Sequence, residues 1–188
     1  KDIEEEGVYK LVPISVNQSR VLINNPDYVK NVEKVISRYN TKVDYLEIEI
    51  TETVFFDEKN KMIEVVKQLK DLGLNLAMDD FGSGYSSLNI LRDIPFDILK
   101  IDREFVSESV ASQSSIVIMQ KIIEMAQGLH IKVICEGVET KEQIDILRKL
   151  GCTMVQGYYY DRPIPMDDFL EKYCKKDASE AKSEEKKE

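Results

Sequence analysis

Short apolar runs alternate with helix-like segments along most of this chain. Residues 46–51 alternate strictly between apolar and polar side chains, which is typical of a strand with one apolar face. Strands that alternate with helices form parallel sheets joined by helical crossovers. We therefore expect six parallel strands, and the other five are predicted at residues 11–17, 74–79, 97–102, 132–136 and 152–156.

Individual residues mark several boundaries of the helices between these strands. Asn25 followed by Pro26 predicts a helix start, and Gly73 is placed to cap the carboxyl end of the next helix. Thr140 with Gln143 three residues later is the capping-box pattern of a helix amino terminus. These signals support the division into alternating strands and helices.

A polar side chain falls at or near the carboxyl end of every predicted strand. In an open doubly wound sheet, such residues would be spread along a line, and only those near the switch point could share a ligand. A barrel gathers all strand ends at one mouth, where the active sites of that fold lie. The polar face of residues 46–51 is also unusual for a doubly wound sheet, so we favour a barrel. The strand-end residues are Asn17, Glu49, Asp79, Lys100, Glu136 and Gln156.

Asp79 and Asp80 are adjacent carboxylates that end an apolar run, and Gly82 and Gly84 follow at once. Neighbouring strand side chains point to opposite faces, so both acids can reach one site only where the strand ends and the chain turns. Carboxylates held that close repel each other unless a proton or a cation neutralises them. A divalent metal ion is one explanation, and a solvated turn with surface aspartates is the alternative.

The composition argues against several classes of function. A formal net charge of −9 speaks against a nucleic-acid polymer as partner, because no basic stripe offsets the repulsion of phosphates. His130 is the only histidine, which argues against a histidine-based triad or a multi-histidine zinc site. Three scattered cysteines without CxxC spacing indicate free thiols in a reducing compartment. No apolar run is long enough to span a bilayer, and we expect no membrane contact from this segment.

Six short motifs follow one another along the chain. They are SVNQS at 15–19, EITET at 49–53, DDFGSGYSSL at 79–88, KID at 100–102, EGVET at 136–140 and QGY at 156–158, the last followed by Arg162 and Pro163. In this order, and over nearly all of the chain up to its charged tail, they resemble the EAL family of bacterial cyclic di-GMP phosphodiesterases. The family fold is a TIM-like (β/α)8 barrel, in agreement with the barrel favoured from the strand ends.

The resemblance implies a site for two divalent cations, Mg²⁺ or Mn²⁺, with cyclic di-GMP as the substrate. By the family pattern, Asn17 and Glu49 would bind one cation, and Asp80 and Glu136 would bind the other. Asp79 would bridge both. Carboxylate and amide oxygens are the donors that these hard cations prefer.

Four further residues have implied roles around the cations. Lys100 would hold or help deprotonate the attacking water, and Glu139 and Gln156 would orient water or ligands. Glu52 would anchor the glycine-rich loop that follows the paired aspartates. Without the resemblance, Lys100 and Asp102 would be interpreted as an ordinary ion pair at a strand end.

The chain departs from the family pattern at its start. The family's Glu-Ala-Leu motif and a nearby arginine on an early strand are absent, and six strands are predicted where the family barrel has eight. We therefore expect two strands before Lys1, and little or no hydrolysis by residues 1–188 alone. Residues 1–173 are interpreted as an N-terminally incomplete EAL-type domain, and residues 174–188 as a charged, disordered tail.

Two classes of function remain open at this point. Every family ligand position present in the chain is intact, which favours a phosphodiesterase that converts cyclic di-GMP to linear pGpG in the full protein. The alternative is a catalytically silent cyclic di-GMP receptor or a scaffold for protein interactions. An unrelated metal-dependent barrel is the runner-up for the class of protein. The resemblance also implies a cytoplasmic signalling domain with sensory or GGDEF-type domains upstream, and it leaves a homodimer open.

Overall fold

The computed structural model describes residues 9, 11–55, 59–82, 88–109 and 112–175, apart from the side chains of residues 108 and 109. Their strands form one six-stranded sheet in which every neighbouring pair is parallel. This confirms the six predicted parallel strands. They are β1 (Ile14–Gln18), β2 (Leu46–Thr51), β3 (Asn75–Phe81), β4 (Ile98–Ile101), β5 (Lys132–Cys135) and β6 (Met154–Val155).

Helices occupy the connections between successive strands. The capping box predicted at Thr140 and Gln143 is present in full, so each residue satisfies a backbone N–H of the other at the start of α7. Gly73, two residues after the end of α3, has a φ of 85°, the left-handed conformation that glycine supplies at a helix end. The helices are α1 (Arg20–Ile23), α2 (Tyr28–Tyr39), α3 (Lys59–Asp71), α4 (Leu88–Asp93), α5 (Arg103–Ser109), α6 (Gln113–Gly128), α7 (Lys141–Lys149) and α8 (Met166–Phe169), with 3-10 turns at Val43–Tyr45 and Glu52–Phe55 and a π-helical turn at Leu170–Cys174.

The spatial order of the strands follows their order in the chain, from β1 to β6. A doubly wound sheet reverses its strand order at a switch point, and no reversal occurs among these strands. Right-handed crossovers that all advance in one direction place the helices on one side of the sheet, as in the wall of a barrel. The strand order therefore favours the barrel over the open sheet. At the two ends of the order, β1 and β6 each pair with a described strand on one side only.

The hydrophobic core joins the sheet to the helices around it. Leu76 of β3 and Leu99 of β4 are completely buried, as are Met119 and Ile123 of α6. Along β2, Ile48 and Ile50 are core residues, while the alternating side chains are charged. The strand pleat therefore separates an apolar face from a polar face. The polar face carries the candidate site.

The structure differs from the sequence prediction at some boundaries. The helix α1 was not predicted, and Ser19 caps it by accepting a hydrogen bond from the Leu22 N–H at 3.3 Å. The π-helical turn extends to the buried Cys174, and an isolated antiparallel bridge pairs Tyr9 with Lys175. Residues 176–188 of the predicted tail lie outside the described residues. No helix within the described part is both long enough and apolar enough to cross a bilayer.

Candidate metal centre

The buried ammonium group of Lys100 lies where the polar strand ends meet. Its Nζ atom is 2.8 Å from Glu49 Oε1, 3.1 Å from Asp79 Oδ1 and 2.8 Å from Glu136 Oε1. These side chains belong to β4, β2 and β3, and to the residue that follows β5. Parallel strands point their carboxyl ends in the same direction, so the ammonium group of one lysine can contact carboxylates from several strands. The predicted convergence of these four side chains is therefore present.

Asp102 is not among the partners of Lys100, although the two lie on the same strand end. Its Oδ1 atom instead accepts a hydrogen bond from the backbone N–H of Glu104 at 2.7 Å. Asp102 thus caps the first turn of α5, where a carboxylate satisfies an otherwise unpaired N–H. The alternative of a simple Lys100–Asp102 ion pair does not describe this site.

The described carboxylates at this site outnumber the ammonium group of Lys100. Burial lowers the pKa of Lys100, but its close contacts with the carboxylates of Glu136, Glu49 and Asp79 outweigh burial and hold that pKa above its ordinary value. The pKa of Glu136 is raised, chiefly by burial, despite its contact with Lys100. Burial, followed by repulsion from Asp79, also raises the pKa of Asp80. Lys100 is therefore protonated. Its single positive charge is shared by the carboxylates of Glu49, Asp79 and Glu136.

A β-bulge brings Asp79 and Asp80 to the same site. The strand β3 continues through both residues to Phe81, so the prediction that the strand ends at Asp79 is wrong. The pairing of β3 with β4 shifts register between Met78 and Phe81, and Asp80 has a φ of 56°. A bulge inserts an extra residue on one strand and interrupts the alternation of faces. Adjacent carboxylates can therefore face one site inside a strand.

Three carboxylates in this region fit a divalent cation. One oxygen each from Asp79, Asp80 and Glu136 lies within 4.8 Å of the others. Asp79 Oδ1 and Glu136 Oε1 are at ion-pair distance from Lys100, but neither buried atom has a hydrogen bond of favourable geometry. Buried oxygens that lack such bonds are costly unless another group satisfies them. Hard cations such as Mg²⁺ and Mn²⁺ would satisfy an all-oxygen set of this kind.

The other predicted ligand and positioning residues lie at the edges of this centre. Asn17 is the register partner of Glu49 in the neighbouring strand, although its side chain is exposed. Gln156 follows β6, and its backbone N–H donates a hydrogen bond to the carbonyl of Cys135 at 2.9 Å. Gln156 also lines a pocket of about 230 Å³ together with Glu136 and Glu139.

Glu52 and Glu139 occupy contrasting environments. Glu52 is only 3% exposed, in the 3-10 turn that directly follows β2. Residues 83–87 of the loop that it is predicted to anchor lie outside the described residues, so this role stays a prediction. Glu139 is exposed, and its Oε1 atom is 3.1 Å from Arg103 Nη2.

Two residues of this region were not among the predicted site residues. Glu47 is 9% exposed and accepts a hydrogen bond from Ser15 Oγ at 2.7 Å, one pleat repeat below Glu49. The strict alternation of residues 46–51 puts Glu47 and Glu49 on one face and could have revealed it. Arg103, the partner of Glu139, had no comparable sequence signal.

A barrel-type parallel sheet with an oxygen-ligand centre at the carboxyl ends of its strands defines a class of metal-dependent TIM-like barrels. Within that class, the chain belongs to the EAL domain family, which its residues 1–163 match. The family expected from the motifs is thus confirmed.

Relatives with established names support this assignment. The chain is 40% identical over 163 residues to the cyclic di-GMP phosphodiesterase NbdA of Pseudomonas aeruginosa, an alignment that covers 85% of the chain and 21% of NbdA. It is 37% identical over 145 residues to the cyclic di-GMP phosphodiesterase RocR of the same organism, covering 77% of the chain and 37% of RocR. The chain thus spans a minor part of the length of these relatives.

Solved structures show the same fold. The EAL domain of Mycobacterium smegmatis DcpA superposes with a TM-score of 0.82 at 30% identity, covering 90% of this chain and 77% of that one. Klebsiella pneumoniae BlrP1, in a complex with manganese and cyclic di-GMP, gives a TM-score of 0.75 at 32% identity, covering 80% of this chain and 39% of that one. A further BlrP1 complex contains calcium and cyclic di-GMP. Together with the acidic cluster, these complexes support the use of a divalent metal.

We predict that Lys100→Met lowers the free energy of unfolding of the metal-free protein by about 3–5 kcal/mol, because it leaves buried carboxylates without a counter-charge. Mn²⁺ should restore part of this loss. The control is Lys121→Met, which removes an exposed pair with Glu124 and should cost less than about 1 kcal/mol. Urea denaturation with and without Mn²⁺ measures both variants, and equal, small losses would contradict the prediction.

Proposed function

We propose that this chain forms the catalytic part of a metal-dependent phosphodiesterase that hydrolyses cyclic di-GMP to linear pGpG in the complete protein. The observation that carries this proposal is the contact of Lys100 with Glu49, Asp79 and Glu136 at the carboxyl ends of the strands. The phosphodiesterase names of NbdA and RocR support the reaction. A complex of MucR phosphodiesterase with cyclic di-GMP, 33% identical to this chain, supports the substrate.

The proposed substrate is negatively charged, and a site with bound cations would neutralise that charge. Cyclic di-GMP is a dianion, and attack on one of its phosphodiesters builds further negative charge at phosphorus. Two Mg²⁺ or Mn²⁺ ions, when bound, would neutralise this charge and lower the pKa of a water molecule. The residues that would hold them are Asn17, Glu49, Asp79, Asp80 and Glu136.

The other site residues would orient the attacking water and stabilise the negative charge at phosphorus. Lys100 is protonated because its carboxylate partners hold its pKa above the ordinary value, so it supplies a positive charge beside the reacting phosphate. A protonated lysine can also hold the attacking water by donating a hydrogen bond. Glu139 and Gln156, in the adjoining pocket, would orient that water or the substrate.

A silent receptor or a scaffold is the alternative function. Such a protein would bind cyclic di-GMP without opening it. The intact carboxylates around Lys100 favour the enzyme, because binding alone does not require ligands for metal ions that activate water.

We predict that the complete protein converts cyclic di-GMP to pGpG in Mg²⁺ or Mn²⁺, and that EDTA abolishes the conversion because the acidic cluster then lacks its cations. Chromatography of the nucleotide products measures this, and calorimetry measures binding separately. Binding by the complete protein without any pGpG would contradict the enzyme and favour the receptor.

We also predict that Asp79→Asn abolishes hydrolysis in the complete protein, because a bridging carboxylate would serve both metal ions. Glu49→Gln should weaken one metal site only, so higher Mn²⁺ should recover part of its activity. Asp93→Asn is the matched control, since Asp93 pairs with Lys59 and Arg92 outside the site. Turnover by Asp79→Asn close to that of the control would be incompatible with a bridging role.

We also propose that the complete protein has a further domain upstream of this one and that it lies in the cytoplasm. Two relatives carry names that imply further domains, the bifunctional diguanylate cyclase/cyclic di-GMP phosphodiesterase MucR and the oxygen sensor protein DosP. The chain covers 23% of the first and 19% of the second. A sensory or GGDEF-type domain in the complete protein is consistent with these proportions, and a homodimer remains a prediction.

A further inference from the structure

The loop at residues 136–139 is held from both sides by close approaches of other segments. On one side, a Cβ atom at Gly137 would lie 2.2 Å from Arg103 Cγ, so only glycine leaves room for the arginine side chain. On the other side, a Cβ atom at Gly157 would lie 2.1 Å from the carbonyl oxygen of Val138. Gly137 also has a φ of 64°, a conformation that favours glycine. The backbone that carries Glu136 and Glu139 is therefore tightly enclosed.

Arg103 extends along this loop to the carboxylate of Glu139. The distance from Arg103 Nη2 to Glu139 Oε1 is 3.1 Å, and the side chains are 64% and 44% exposed. Ion pairs this exposed contribute only about 0–1 kcal/mol to stability. Stability of the fold therefore does not account for the contact or for the space that Gly137 leaves for it.

The ion pair forms one wall of the pocket next to the acidic cluster. Arg103 and Glu139 line this pocket of about 230 Å³ with Glu136, Gln156 and Tyr158. Arg103 begins α5, two residues after the end of β4, the strand that carries Lys100. The ion pair thus connects the carboxyl end of β4, the strand that carries Lys100, to the loop that carries Glu139.

We propose that Arg103 is a positioning residue, which fixes the Glu139 carboxylate at the edge of the metal centre during the phosphodiesterase reaction. The inference rests on the function proposed above. A glutamate that is this exposed can occupy several rotamers, and a charged partner limits it to those that keep the contact. Removal of partners that orient groups around a metal site typically costs about 10–100-fold in activity.

Direct contact of Arg103 with a phosphate of the nucleotide is the competing explanation, and it makes different predictions. A residue that binds the substrate in its ground state raises KM when it is removed. Its effect would also be independent of Glu139. A residue that acts through Glu139 lowers kcat and has no further effect once Glu139 is changed.

The experiment measures steady-state hydrolysis of cyclic di-GMP in Mn²⁺ by the complete protein and its variants. Arg103→Ala should lower kcat by about 10–100-fold with little change in KM. Arg103→Lys should recover part of the loss, because it keeps the charge but not the geometry of the guanidinium group. The double variant with Glu139→Gln should be no slower than Glu139→Gln alone. Arg92→Ala removes another exposed arginine, paired with Asp93 in α4, and should leave kcat unchanged.

A second measurement tests the ion pair without turnover. In the metal-free protein, the contact of Arg103 Nη2 with Glu139 should restrain rotation of the guanidinium group and give separate Nη–H signals in nitrogen-15 NMR, and Glu139→Gln should merge them. Arg103→Ala should have the melting temperature of the wild-type protein, since the pair is exposed.

Each outcome bears on a definite statement. A kcat unchanged in Arg103→Ala, a raised KM at constant kcat, or multiplicative effects in the double variant would overturn the positioning role while hydrolysis by the wild-type protein still supported the function. Nη–H signals of Arg103 that are insensitive to Glu139→Gln would also overturn it. A wild-type protein without hydrolysis would overturn the proposed function, and this inference with it.

Discussion

The ammonium group of Lys100 is the interaction on which the geometry of this site depends. Burial of a charge is unfavourable unless partners surround it, and here Glu49, Asp79 and Glu136 do so from different strands. Each carboxylate can reach Nζ only if its strand ends at the level of β4, so this contact and the strand register depend on each other. Burial, followed by repulsion from the neighbouring Asp79, raises the pKa of Asp80 in the same region. The contacts of Lys100 thus hold together an acidic cluster whose oxygens are of the kind that hard divalent cations prefer.

Several local departures from regular structure lie at the carboxyl ends of the strands. Asp80 occupies a left-handed conformation that costs a non-glycine residue on the order of 1 kcal/mol or more, although aspartate tolerates it better than most. Gly137 and Gly157 allow main-chain and side-chain approaches that a Cβ would prevent. Leu76 and Leu99, deeper in the strands, are fully buried core residues. A strained residue beside a cluster of buried charges is typical of a functional site.

The sequence predicted the parts of this structure that follow from local patterns. Lys100 is the one charged residue of an otherwise apolar strand, and Glu49 lies on the polar face of an alternating one, so a shared polar site at the strand ends could be anticipated. The bulge at Asp80 could not, because it arises from the pairing of β3 with β4 and not from the β3 sequence alone. The contact of Arg103 with Glu139 could not be predicted either, because a long flexible side chain can take many directions. The absence of a Cβ at Gly137 leaves room for the direction that Arg103 takes. The side chain of Asn17 is more exposed than those of Glu49 and Asp79, because β1 has a described neighbouring strand on one side only.

The site divides into two parts that are held by different forces. Glu49, Asp79 and Lys100 are buried, where low dielectric strengthens their attraction and the packed core fixes their positions. Glu139 and Gln156 are exposed, so water weakens any charge interaction that they make, and their orientation depends on close packing of the loop backbone. Changes in the exposed part should therefore leave the buried carboxylates, their contacts with Lys100 and the fold in place. The exposed part is thus the part that can vary without loss of the geometry at the strand ends.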